Sequence, residues 1–86
     1  MDTENPIKRI RSERDLAQQE LAILADVSIN TVRNAEKGLT STLNEKILDA
    51  LVELGYEKEK IEEEYEKWRK DLKQDIIERK GKDKNS

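Results

Sequence analysis

The fold is decided by the stretch Gln18-Gln19-Glu20-Leu21-Ala22-Ile23-Leu24-Ala25-Asp26-Val27-Ser28-Ile29-Asn30-Thr31-Val32-Arg33-Asn34-Ala35-Glu36-Lys37-Gly38. Leu21 and Ala25 are four residues apart and share one helical face. Ser28 is a good N-cap for a following helix, and Gly38 closes that helix just beyond Lys37. Two helices joined by about three residues must cross closely, and Ala22 supplies the small side chain that the crossing needs. The sharp turn calls for a residue that tolerates positive φ, and Asp26 is an acceptable substitute for glycine there. Leu21, Ala25, Val27, Val32 and Ala35 fill the inward positions, which leaves Ile29, Asn30, Arg33 and Asn34 pointing outward from the second helix. The pattern is that of a helix-turn-helix.

Outward from this unit the chain reads as helix throughout. A first helix runs from about Pro6 to Arg14, with Asn5 as its N-cap, Pro6 at its first position and Ile7 and Ile10 inward. The second runs from about Ala17 to Ala25, and the third from after Ser28 to near Lys37. Thr42-Leu43-Asn44-Glu45 fits a capping box, so the fourth is expected to start at Thr42, with Leu43, Ile47, Leu48, Leu51 and Leu54 apolar and Gly55 closing it. A fifth, from about Glu57 to Lys80, is charge-dense, with Glu63→Lys67, Glu66→Lys70 and Asp75→Arg79 in the favourable order. Alternating apolar runs and hairpin turns are missing, so no strand is expected. The expected organisation is an all-α domain over residues 1–56, a long charged C-terminal helix over 57–80 and a flexible tail over 81–86.

Composition narrows the function. The 86 residues have room for one small domain, and 34% hydrophobic and 3% aromatic content makes its core small and aliphatic. With no His and no Cys, the commonest general base, the thiol nucleophile and the usual zinc ligands are missing, and disulfides are excluded. Neither a catalytic site nor a metal or cofactor site is expected, and no pair of carboxylates stands out from the solvated charge. No apolar run approaches the roughly 20 residues that span a membrane, and the polar start Met1–Pro6 is unlike a signal peptide. A cytoplasmic protein is the expectation. The net charge of −3 argues, taken alone, against nucleic acid, but a duplex feels only the face turned toward it.

The segment from about Ile7 to Tyr56 resembles the phage repressor and Cro-like helix-turn-helix family, also called the xenobiotic-response-element family. The resemblance is carried by Gln18-x-x-Leu21-Ala22, Val27-Ser28, Thr31-Val32, Glu36-Lys37-Gly38 and Leu51-x-x-Leu54-Gly55. Ala17 stands where that family usually has a Thr or Ser cap, Asp26 where it has Gly, and the Pro common after Gly38 is absent. The resemblance implies a five-helix, lambda-repressor-like fold with an extended last helix. It also implies double-stranded DNA as partner, with the third helix in the major groove. By position, Ile29, Asn30, Arg33 and Asn34 become the base readers, chemistry that suits a thymine methyl, adenine and guanine. Gln18, Lys37 and Thr40 become phosphate contacts, with Arg9, Arg11 and Arg14 as weaker candidates. Ile23 and Leu24 lie where the family is usually polar; they are either incidental surface apolarity, which is common, or a surface covered by the last helix or a partner.

In the fifth helix Ile61, Tyr65, Trp68, Leu72 and Ile76 form one apolar stripe, which either packs the helix back on its own domain or serves as a dimerisation seam, and the seam is the favoured reading. Residues Glu57–Glu66 carry a net −4 and Lys67–Lys84 a net +4. An antiparallel homodimer contact with Trp68 near the two-fold axis is therefore expected. The function expected from all this is a sequence-specific transcriptional regulator, a repressor acting as a dimer on a palindromic operator. The rival readings are an antitoxin-like module that binds a partner protein through the last helix, and a DNA-architecture accessory factor of a mobile element.

Overall fold

The computed structural model describes residues 4–81, and among them the chain is entirely helical, in the order α1 (Pro6–Glu13), α2 (Gln18–Ala25), α3 (Ile29–Lys37), α4 (Glu45–Glu53) and α5 (Lys58–Gly81). Each start has a local chemical cause. The Asn5 side chain accepts from the backbone N–H groups of Ile7 (2.8 Å) and Lys8 (3.1 Å), and Pro6 takes the position where no N–H is needed. Ala17 caps α2 without a side-chain oxygen; the Glu20 carboxylate reaches back to the Ala17 N–H at 2.9 Å. Ser28 Oγ accepts from the Thr31 N–H at 3.3 Å. The ends are equally local. Asp26 at φ 57° and Gly38 at φ 76° are left-handed, and the next residues donate back, Val27 to Ala22 O at 3.0 Å and Leu39 to Asn34 O at 3.0 Å.

Several boundaries differ from the sequence expectation. The fourth helix begins at Glu45 rather than Thr42, because Asn44 caps it by accepting from Lys46 N (2.8 Å) and Ile47 N (3.3 Å), while Leu43 turns into the core. Ala17 is a cap, not a helical residue, and Arg14 likewise lies just past the end of α1. Gly81, assigned to a flexible tail, is the last residue of α5; the remainder of that tail, 82–86, lies outside the described residues. Asp15 also takes a left-handed conformation, φ 53°, which lets Leu16 N donate to Arg11 O at 2.8 Å.

Ile7, Ile10, Leu21, Val32, Ile47, Leu48 and Leu51 meet in one core, with Ala22, Ala25, Ala35 and Ala50 where helices approach closely. α5 then crosses this bundle and adds Ile61, Tyr65 and Trp68 to the same core. This corrects the dimer seam: those three side chains are covered by their own domain, so Trp68 is not available at a two-fold axis. Leu72 is half-buried against the core, and Ile76 of the stripe is exposed. The reason is the end of α3. A Cβ on Gly38 would lie 2.8 Å from two atoms of the Trp68 ring, so the ring rests where only glycine leaves room. Tyr65 donates its hydroxyl to Thr40 O at 2.8 Å, and Arg69 Nε donates to Gly38 O at 3.0 Å. A cover over Ile23 and Leu24 is not supplied by α5, and both remain exposed. No helix among the described residues is long and apolar enough to cross a membrane.

Candidate functional site

α3 is fixed from behind by a polar cluster. Glu36, nearly fully buried, accepts two bonds from Arg11, Nε at 2.6 Å and Nη2 at 3.0 Å, and one from Gln18 Nε2 at 3.0 Å. The Glu36 carboxylate holds the Arg11 guanidinium above its ordinary pKa, chiefly through these hydrogen bonds. Arg11 also donates to Leu16 O at 2.8 Å, and Asn5 Nδ2 donates to the carbonyls of Ala35 (3.1 Å) and Glu36 (3.3 Å). α1, the start of α2 and the end of α3 are thereby tied together, and every buried side-chain polar atom among the described residues has a partner. Removing Arg11 would leave the nearly buried Glu36 carboxylate without its counter-charge, a loss of about 3 kcal/mol.

The outer face of α3 is the reverse. Asn30, Arg33, Asn34 and Lys37 are exposed, and none of their side chains makes a hydrogen bond or ion pair with the described residues. Arg33 does not pair with Glu36, because Arg11 and Gln18 already occupy that carboxylate. Ile29 is only half-exposed; it packs partly against the core, so its reach toward a ligand is shorter than its outward position in the sequence implied.

Beside this face runs a shallow groove lined by Lys8, Gln18, Arg33, Glu36 and Lys37. It holds three cations, and its one carboxylate is offset by Arg11, so a chain of net −3 presents a locally positive surface here. Gln18 spends one N–H on Glu36 and keeps the other. Gln18, Arg33 and Lys37 are thus brought together, but Thr40 is not. It lies in a separate polar hollow with Thr31, Asn34 and Ser41, its hydroxyl 3.3 Å from that of Tyr65.

Arg9 and Arg11 of α1 and Arg14 just beyond it are committed internally. Arg9 pairs with Glu64, Arg11 with Glu36, and Arg14 donates to Leu54 O at 2.8 Å while lying over the Tyr56 ring. The α1 cation left for the groove is Lys8, which the sequence reading passed over. Its signal was its place three residues before Arg11, on the same side of α1. Comparison with protein-family models, curated proteins and solved structures yields no match, so what this site does must be argued from its own residues.

Proposed function

We infer that the chain is a sequence-specific DNA-binding regulator whose α2–α3 pair acts as a helix-turn-helix, with α3 as the reading helix of a lambda-repressor-like domain. The observation that carries this is the contrast in polar commitment. Nearly every polar group behind α3 is bonded within the fold, while Asn30, Arg33 and Asn34 on its outer face have no partner among the described residues. Three such groups on adjacent turns suit base edges, Asn for adenine and Arg for guanine. Lys8, Lys37 and the remaining N–H of Gln18 flank them, where phosphates of the same groove would lie. A regulator of this kind acts as a dimer on a palindromic operator, with two half-sites about 34 Å apart, and represses by occupying the site.

Selection of bound duplexes from a random pool, followed by footprinting, tests the reading. A shared palindrome is expected. On the selected operator, Asn30→Ala and Arg33→Ala should each cost about 1–3 kcal/mol. Lys8→Ala and Gln18→Ala should weaken every sequence alike, because phosphate contacts carry no sequence information. The log–log salt slope should be about −2 to −3 per protomer for the three cations of the groove. A pool that enriches nothing, with Arg33→Ala binding like wild type, defeats the proposal.

A further inference from the structure

Among the exposed apolar side chains of the described residues, two patches stand in surroundings of opposite charge. The first lies along α2 and α4. Leu24 is 51% and Ile23 71% exposed, and Leu24 lines a depression with Ala25 and Ala50 as its apolar floor. Asp26, Asp49 and Glu53 rim that depression against the single cation Lys46, and none of the three acids forms an ion pair with the described residues. The second patch is on the distal end of α5, where Ile76 is 43% and Ile77 60% exposed. Lys73, Ile76, Ile77 and Lys80 fall at i, i+3, i+4 and i+7, the spacing of one helical face. Asp71, Asp75 and Glu78 lie around the other side of the helix, and neither lysine forms an ion pair with the described residues. The chain therefore carries a basic apolar helix face and an acid-rimmed apolar groove, each left uncovered by the described residues.

We propose that these two surfaces are partners across two copies of the chain. The distal α5 of each copy lies in the α2–α4 groove of the other, with Ile76 and Ile77 over Leu24 and Ala50, and Lys73 and Lys80 among Asp26, Asp49 and Glu53. The contact is reciprocal, so it closes as a two-fold dimer and buries both patches twice. The reach of α5 permits it. A helix of 24 residues is about 36 Å long, whereas the molecule measures 49 × 23 × 21 Å, so its far end extends beyond the bundle. The groove shares no residue with the Lys8–Gln18–Arg33–Lys37 surface, and both remain open together. This deepens the dimeric reading given above by naming the surfaces, and it stands or falls without DNA.

Sedimentation equilibrium of the full chain, in the absence of DNA, tests it. Wild type should self-associate to a dimer. Leu24→Asp and Ile77→Asp should each weaken association at least about tenfold, as loss of a central apolar contact does. An equimolar mixture of the two variants should regain association, because the intact α5 of Leu24→Asp meets the intact groove of Ile77→Asp. Lys73→Glu with Lys80→Glu should also dissociate the dimer, and adding Asp49→Lys with Glu53→Lys in the same chain should restore it. A wild type that stays monomeric overturns the proposal and leaves the groove to a foreign basic segment. Dissociation by Ile77→Asp with none by Leu24→Asp overturns it in favour of a tail-to-tail contact. A mixture or charge swap that restores nothing overturns it as well. Loss of operator selection with the dimer intact would instead remove the DNA-binding reading alone.

Discussion

The two halves of α5 share one helix and similar apolar spacing, yet they end in opposite environments. Ile61, Tyr65 and Trp68 are buried, while Ile76 and Ile77 are exposed. The proximal half succeeds because it meets a surface shaped to receive it. Gly38 leaves room for the Trp68 ring, the Thr40 carbonyl accepts from Tyr65, and the Gly38 carbonyl accepts from Arg69. Tyr65 and Trp68 also touch each other, with ring centroids 5.7 Å apart. The distal half runs past the end of the bundle and meets no comparable surface among the described residues. An apolar stripe therefore does not by itself say what covers it. Only distance and shape decide whether the cover is its own domain or another molecule.

The comparison can be broken most directly at Trp68. Trp68→Ala should destabilise the fold by about 3–5 kcal/mol in urea unfolding, the range for deleting a buried large aromatic. A loss no larger than that of an exposed residue would mean that α5 is not part of the core. Gly38→Ala comes next, at about 1–3 kcal/mol, because the added methyl meets the Trp68 ring at a position already left-handed. In a Trp68→Leu background the same change should cost less. Equal costs in both backgrounds would place the strain in the backbone and not in the ring contact. Tyr65→Phe removes the bond to Thr40 O and should cost about 1 kcal/mol, with the apolar packing kept. Ile77→Ala, measured in dilute solution, should stay within about 0.5 kcal/mol of wild type. A larger loss would show that the distal half is packed on its own domain after all.

The candidate site was legible in the same uneven way. The outward set Asn30, Arg33 and Asn34 followed from the inward set Val32 and Ala35, because helical geometry fixes one face once the other is known. Gln18 opens α2, but its bond to Glu36 is not visible in the sequence, since the partners are 18 residues apart. The partners of Arg9, Arg11 and Arg14 are hidden in the sequence for the same reason. Arg9 is claimed by Glu64 and Arg14 by Leu54 and Tyr56, far along the chain, and Lys8 was left for the groove. Thr40 was grouped with Lys37 by proximity in sequence, but the left-handed turn at Gly38 carries it into a different hollow.

What the sequence determined by itself is local. The all-helical class, the turn at Asp26, the caps at Asn5 and Ser28 and the stop at Gly38 each depend on atoms within a few residues, where side-chain chemistry and φ preference act directly. At the start of α4 the capping box read at Thr42 does not form; Asn44 caps the helix instead, and Leu43 turns inward. What only the tertiary structure decided is which of several equivalent groups would find a distant partner. Arg11 rather than Arg33 took Glu36, and the bundle took Trp68 but not Ile76. Charge and periodicity rank those groups alike. They are separated by the positions of α1 and α5 relative to α3, which are set when all five helices pack around one core.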